Sequence, residues 1–418
     1  MPADPYAWLM SSPGPSSPPP TRSTRRRAPS AAAASNAGGP LPADVLFDVL
    51  LRLPAKELCR LRAVCRAWRS LTADPLFAGA HAARHRGPCP SLLAKFRDDE
   101  ARIHVVDLRG GVLKRMACPG DGHELLCTRL DLACVASKDN SCRVLNPATG
   151  AAYALPESPA PEHAGRENSR DPYTFFASGR VAATGECKVL RVFNRTEFDA
   201  FDQQQLFEVF TINGGAGGAQ WRARESHYLF LEAHNAAVVG GVVYFLTDCA
   251  YDLMLFFGVN TGVHPDCIAS FDLETEEWRR DIQGPISSSL SMDDANATEE
   301  YRSIWHKLTL SELKGSLVLA YHRRHQSLDL WFLTDFENGL WAKEYSIRTE
   351  AAIPADEYFV KPLLVSDDGR LVILLASTGI LLIYDPSTNT FTEVEMGRLD
   401  AVGIYTGNLL TLQGGDMV

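Results

Sequence analysis

The chain has 418 residues, a formal net charge of −10, 45% hydrophobic and 22% charged side chains. That length has room for one large domain beside a small unit, the apolar share is that of a globular protein, and no run of about 18 apolar residues offers a membrane span. Ten cysteines (positions 59, 65, 89, 118, 127, 134, 142, 187, 249 and 267) are scattered without a C-x-x-C pair, which argues against a zinc framework and for a reducing setting with free thiols.

Residues 1–40 hold nine prolines, repeated serines and an alanine run at 31–34, a composition that cannot build a packed core and reads as a disordered tail. Arg22, Arg25, Arg26 and Arg27 form its basic cluster, with Asp4 the lone acid. A solvated tail is the reading, with a nuclear-import patch or an organellar transit peptide as alternatives. The first residues show no basic region followed by an apolar core and cleavage site, so no secretory leader is expected.

The segment 41–77, LPADVLFDVLLRLPAKELCRLRAVCRAWRSLTADPLF, has the spacing of three short helices. Pro42 suits a first helical turn, and Pro54 separates the first helix from the second. Val45, Leu46, Val49, Leu50 and Leu53 fall on one helical face. Leu61, Val64, Cys65, Trp68 and Leu71 share a face of a third helix, opposite Arg62, Arg66 and Arg69. A unit of about 40 residues cannot bury such stripes by itself, so the excess suits a second protein surface. A three-helix DNA reader is the rival, with Arg60, Arg62, Arg66 and Arg69 as its recognition face. Residues 41–86 carry eight Arg/Lys against four Asp/Glu, and the whole chain is acidic, so nucleic-acid binding is not expected.

From about residue 92 to 412 short strand-like runs recur: IHVVDL (103–108), VVYFLT (242–247), SLVLAY (316–321), LDLWFL (328–333), LVILLA (371–376) and ILLIYD (380–385), each bounded by turn residues. A degenerate repeat joins them, in which an apolar strand ends in Asn or Asp, turns, and starts a second strand. The turn residues are Asp107, Asn146, Asn213, Asp272, Asp335 and Asp385. Spacings near 40–50 residues, with excess in loops, indicate propeller blades. Six units imply about six blades, closed by pairing the last strand, near Val402–Leu412, with the blade that starts after Ser91. A pair of β-sandwiches is the structural alternative. Trp221, Trp278, Trp331 and Trp341 read as packing between blades rather than as ligand-stacking residues, and the turn aspartates as turn formers rather than catalytic acids.

The helical segment closely resembles an F-box. Leu41-Pro42, Leu50, Leu53-Pro54, Lys56, Leu58, Val64-Cys65-Arg66, Trp68, Asp74-Pro75 and Phe77 stand at the family's spacing. Asp48-Val49-Leu50 replaces the common Glu-Ile-Leu, and Glu57 a common Ser. The repeats resemble the F-box-associated, kelch-like β-propeller domains of plant F-box proteins, through Asn-Pro-x-Thr, Phe-Asp-x-x-Thr-x-x-Trp and Gly-x-x-Tyr patterns, with a kelch-like Gly240-Gly241 before Tyr244. The resemblance implies a multidomain α + all-β chain: a tail (1–40), a three-helix F-box (41–86) and a β-propeller (87–418). It implies a non-catalytic substrate-recognition subunit of an SCF-type (Skp–cullin–F-box) E3 ubiquitin ligase, cytoplasmic and/or nuclear. The F-box would dock on the Skp-type adaptor, and through it cullin–RING, by Leu41, Pro42, Leu46, Val49, Leu50, Leu53, Leu58, Val64, Cys65 and Trp68; the propeller would hold a target protein. An adaptor-bound scaffold outside the ligase, or a propeller with its own glycan or small-molecule ligand, are the alternatives.

No catalytic residue, cofactor or metal site is expected. His81-Ala82-Ala83-Arg84-His85 lacks the Glu of a zinc-protease helix, His322 and His325 have no third ligand nearby, the Gly-rich run 214–218 opens no helix, and no Gly-x-Ser-x-Gly elbow exists. Residues 87–418 carry a net charge of −17, which favours a basic or mixed target through its field, solvated surface being the plainer reading. The long segments 155–172, 194–205, 249–266 and 281–302 are the expected target readers, since loops on a rigid scaffold carry recognition.

Overall fold

The computed structural model describes residues 42–53, 55–61, 63–84, 91–117, 123–126, 132–137, 141–147, 152–165, 174–194, 205–212, 220–287, 301–324, 326–349, 352–354 and 357–405. The tail expected over 1–40 and the dock residue Leu41 lie outside them.

The N-terminal part is helical: α1 (Ala43–Leu50), α2 (Ala55–Leu61), α3 (Arg66–Ala73) and α4 (Pro75–Arg84). These four segments replace the expected three. Pro42 opens α1 as its sequence position suggests, its carbonyl accepting from Leu46 N at 2.9 Å. The third helix implied by the stripe from Leu61 to Leu71 is broken, since α2 ends at Leu61 and Cys65 takes an extended backbone (φ −158°, ψ 166°) ahead of α3. Asp74 ends α3 and starts α4, its carboxylate accepting from Leu76 N at 2.7 Å, with Pro75 at the first helical position, where the missing N–H costs nothing.

The remainder is a six-bladed propeller of antiparallel sheets, the strands of blades II to VI following one another in sequence and blade I taking its first strand from the last of the described strands. Blade I comprises Leu399–Tyr405, Ser91–Phe96, Asp99–Val106 and Val112–Ala117; blade II, His123–Leu126, Ala133–Ser137, Cys142–Leu145 and Ala152–Ala154; blade III, Thr174–Arg180, Cys187–Asn194, Gln205–Ile212 and Arg222–Arg224. Blade IV comprises Leu231–Val239, Val242–Thr247, Cys267–Asp272 and a fourth strand broken into Glu277–Trp278 and Ile282–Gln283; blade V, Leu308–Leu313, Ser316–Arg323, Ser327–Asp335 and Leu340–Arg348; blade VI, Val360–Val365, Leu371–Leu375, Ile380–Asp385 and Thr390–Glu393. Each strand-like run singled out in the sequence falls on a strand. The ring closes as expected: Leu399–Tyr405 supplies the first strand of blade I, pairing Leu92 with Ile404 and Ala94 with Val402.

The five described sequence-marked turn residues sit at the same place in their blades, at or just past the end of the third strand. Asn213 itself lies outside the described residues. The carboxylates act as turn formers: Asp107 accepts from Arg109 N and Gly111 N, both at 2.8 Å, Asp272 from Glu274 N at 2.7 Å, and Asp385 from Ser387 N at 2.9 Å. Four residues after three of these aspartates the chain turns left-handed, at Glu276 (φ 59°), Gly339 (φ 60°) and Asn389 (φ 55°).

The core is divided among the blade interfaces. One apolar cluster lies between each pair of neighbouring blades, from Leu93, Val105 and Val135 between I and II round to Leu92, Leu364 and Leu381 between VI and I. Trp221 packs between II and III, Trp278 between III and IV, and Trp331 and Trp341 between IV and V, which is the inter-blade role read from their repeat positions.

An ionic clasp reinforces the III–IV interface. Glu276 accepts from Arg222 (2.5 Å), from Lys188 (2.8 Å) and from Arg224. Burial alone would raise its carboxyl pKa, but hydrogen bonds from Arg222, Lys188 and Arg224 outweigh it and hold the group at about 2. A carboxyl depressed in the folded state stabilises above its unfolded pKa of 4.5 and ceases to as pH falls to about 2. Acid titration of stability should therefore show a loss on the order of 3 kcal/mol across that window, monitored by urea denaturation at stepped pH. The Glu276→Gln variant should be less stable at neutral pH and flatter below pH 4.5; an unchanged acid slope would remove Glu276 as its source.

Candidate target face and helical dock

In the helical region Phe77 is the centre of packing, edge-to-face with Phe47 at 5.0 Å and stacked on His81 at 6.2 Å. His81 is buried and donates from Nε2 to the Leu53 carbonyl at 2.8 Å. It is a core hydrogen-bonding residue, consistent with its rejection as a metal ligand. Leu50 and Leu58 are fully buried beside it in sequence terms, on α1 and α2.

The nominated dock residues thus divide. Leu50 and Leu58 are core; Leu46, Leu53 and Trp68 are half-buried; Pro42, Val49, Val64 and Cys65 face solvent. Exposure of Val49 (44%) and Val64 (61%) is joined by that of Val45 (41%) and Leu76 (79%), which the nominated set omits. Val45 lies one helical turn before Val49, and that i, i+4 spacing was the available signal. Leu76 offered none, because a residue just after Asp-Pro reads as a turn.

The propeller has two unequal faces. Strands alternate in direction, and the fourth strand of each blade feeds the first strand of the next. Turns between first and second or third and fourth strands therefore emerge on one face, and connections between second and third strands or between blades on the other. The described ends of 155–172 and 281–302 are blade-to-blade connections, and those of 194–205 and 249–266 join second to third strands. All four expected target readers thus leave on one face. That face also carries exposed Tyr228, Leu253, Phe256, Phe257, Tyr358 and Phe359.

Buried polar groups tie down the described parts of three of these segments. Glu208 accepts from Ala160 N (2.7 Å), His163 Nδ1 (3.0 Å) and the Arg191 guanidinium, and Arg191 also donates to the carbonyls of Glu157 (3.1 Å) and Ser158 (3.3 Å). The connection from blade II to III is thereby tied to the middle strands of blade III. Asp266, fully buried, accepts from Ile286 N (2.7 Å), Ser287 N (3.0 Å) and Gln283 (2.8 Å), and its backbone carbonyl accepts from Gly284 N at 2.8 Å. A Cβ on Gly284 would stand 2.7 Å from that carbonyl oxygen, so the approach needs glycine. The insert after Thr247, read as a loop from sequence, contains α5 (Ala250–Phe256). Asp248, one residue before its N-cap Cys249, accepts from Ala250 N at 2.7 Å in an Asx-type turn, and seven residues are too few for a helical period to stand out.

Among the described residues no group of three or more His, Cys, Asp or Glu side chains could hold a metal ion, and no helix is long and apolar enough to cross a membrane.

Comparison with known proteins agrees on both regions. Residues 40–78 match the F-box-like family, and residues 114–406 match the F-box associated beta propeller domain. The F-box protein At3g07870 of Arabidopsis thaliana is 23% identical over 400 residues, covering 85% of this chain and 87% of that protein. The F-box protein CPR1 of the same plant is 22% identical over 394 residues, covering 88% and 87%. Among solved structures, a mutant of the Aleuria aurantia lectin AAL in complex with Fucalpha1-6GlcNAc aligns with 75% of this chain and 94% of its own at 11% identity and a TM-score of 0.36, too slight a likeness to carry an argument. The chain belongs to the F-box proteins with an F-box associated beta propeller domain, a family of non-catalytic adaptors.

Proposed function

We propose that this chain is the substrate-recognition subunit of an SCF-type ubiquitin ligase, residues 41–86 forming a helical dock for the Skp-type adaptor, 87–418 holding the target and 1–40 serving as a tail. What supports the dock is the exposure of Val49, Val64 and Leu76 in a helical region whose own core, Leu50, Leu58 and Phe77, is already filled. Apolar side chains left outside a complete core suit burial against a partner. The chain itself contributes proximity, bringing a target beside enzymes recruited through the adaptor and cullin–RING. The proposed setting is the cytoplasm and/or nucleus, a reading supported by the scattered free cysteines such as Cys134, Cys142 and Cys187.

The buried and exposed dock residues separate folding from binding. Leu58→Ala should destabilise the helical region by about 2–5 kcal/mol, seen as a lower melting temperature whether or not adaptor is present. Val64→Asp and Leu76→Asp should leave circular dichroism and melting unchanged while weakening adaptor binding at least tenfold in calorimetry. Leu41→Ala/Pro42→Ala should also weaken it. Full-strength binding by the folded aspartate variants would place the adaptor elsewhere, and failure of a cullin to copurify with bound adaptor would leave a scaffold outside the ligase.

A further inference from the structure

On the target face, where the α5 insert meets the connection from blade IV to V, the chain encloses a cavity of about 120 Å³. Its walls are Tyr251 and Leu255 of α5, the stretch Asn260–His264, and Tyr301 and Trp305. No carboxylate, lysine or arginine is among them. Tyr251 and Trp305 lie nearly parallel, 5.9 Å between centroids and 25° apart, and Tyr301 meets His264 edge-on at 6.1 Å. The walls are fixed: Tyr251 OH accepts from Phe230 N at 2.9 Å, Tyr301 OH lies 2.7 Å from His264 Nδ1, and Thr247 Oγ1 donates to the His264 carbonyl at 3.0 Å. The space is far below that of a pocket for a drug-sized ligand, and suits one side chain.

The electrostatics around it are one-sided. The described parts of the two segments that meet at the cavity, 248–266 with 281–287 and 301–307, carry four acidic side chains, Asp248, Asp252, Asp266 and Asp281, against two basic ones. Of the two bases, Arg302 is turned to Asp252, 2.8 Å from Nε to Oδ1, and Lys307 donates to Ser303 at 2.8 Å. Both tyrosine hydroxyls register the surrounding charge after burial: Asp248 helps raise Tyr251, and Asp266 helps push Tyr301 up to about 12. Aromatic faces within a negative potential attract a cation, and a planar guanidinium adds stacking that an ammonium cannot.

We propose that the Tyr251–Tyr301–Trp305 cavity receives a basic side chain of the target protein, arginine in preference to lysine. The assignment deepens the reading of this face as the target-binding one and rests on it. Tyr251 and Tyr301, within the nominated readers 249–266 and 281–302, and Trp305, just past the second, would then supply a defined anchor point, with exposed Leu253, Phe256 and Phe257 on the same insert.

The test uses the full chain without adaptor, so that its outcome is independent of the dock. Binding of acetyl-arginine amide is measured by ligand-observed NMR against acetyl-citrulline amide, a neutral near-isostere. Arginine should bind about tenfold more tightly and lose affinity as salt rises. Trp305→Leu, which keeps apolar volume and removes the ring, should reduce arginine binding at least fivefold; Tyr301→Leu takes its place should that variant fail to fold. Tyr301→Phe, which retains the ring, should keep most of the affinity. Equal binding of citrulline, no detectable arginine binding by the folded parent, or an unchanged affinity in the folded leucine variant would each overturn the proposal, while leaving the adaptor reading standing.

Discussion

Truncation after Arg398 should abolish the folded propeller. The removed strand, Leu399–Tyr405, is the first of blade I although it lies at the far end of the chain. It takes with it Leu399, Ile404 and Tyr405, buried in the interfaces of blade I with blades VI and II, at about 1.5–3 kcal/mol each. Its backbone pairing with Ser91–Phe96 goes too, as does the Leu399 carbonyl that accepts from Arg97 Nε at 3.0 Å. Lys95, buried and paired with Asp400 at 3.1 Å, would lose that partner. Together these exceed a large part of the 5–15 kcal/mol that typically separates folded from unfolded domains. Circular dichroism and limited proteolysis of a chain ending at Arg398 should show loss of cooperative melting, whereas a chain ending at Tyr405 should melt cooperatively. A cooperative transition in the shorter chain would mean that five blades and an open sixth suffice.

The second large effect is expected from Glu208→Ala. Its carboxylate is fully buried and receives four hydrogen bonds, two of them from the equally buried Arg191. Burial would raise its pKa, but hydrogen bonding by His163 and the charge of Arg191 outweigh that and hold it ionised below the usual range. Arg191 stacks 4.2 Å from the Trp221 ring centroid, in the interface between blades II and III. Removing the carboxylate strands a guanidinium there, at a cost of about 3–5 kcal/mol. Removing both charges with volume kept, Arg191→Met/Glu208→Leu, should recover much of it, because a buried pair is often no better than the apolar residues that replace it. Urea midpoints of the two variants decide the matter; equal losses would show that geometry, rather than the stranded charge, dominates. The single variant should also expose the 155–165 connection to protease, since Ala160 and His163 lose their common acceptor.

What could be read from sequence follows from how far apart the cooperating residues are. The blade pattern was legible because its markers are local: an apolar run, an aspartate that bonds its own turn, and a second run. Asp107, Asp272, Asp335 and Asp385 each act on backbone two to four residues away. The F-box motif was legible for the same reason, with Leu50, Leu58 and Phe77 spaced by short helices. The ionic anchors were not. Arg191 and Glu208 are on neighbouring strands 17 residues apart, His163 is 45 from Glu208, and Glu276 draws its cations from 52, 54 and 88 residues earlier. No periodicity encodes such meetings. The break before α3 was missed because Val64 and Cys65 fit an apolar helical stripe, and the stripe alone does not reveal that Cys65 adopts extended backbone.

The pairing of Ser91–Phe96 with Leu399–Tyr405 also sets a schedule for the nascent chain. The early strand leaves the ribosome roughly 300 residues before its partner exists, an interval of some 15–60 s at ordinary elongation rates. Throughout it Ser91–Phe96 can pair on one side only, with Asp99–Val106, and its other edge stays open, the state in which strands join the wrong neighbour. Blades II to VI can stack in order as they emerge, each on the one before. Blade I must wait until Leu399–Tyr405 has emerged, so shielding of that one open edge during synthesis is where assistance to folding would act.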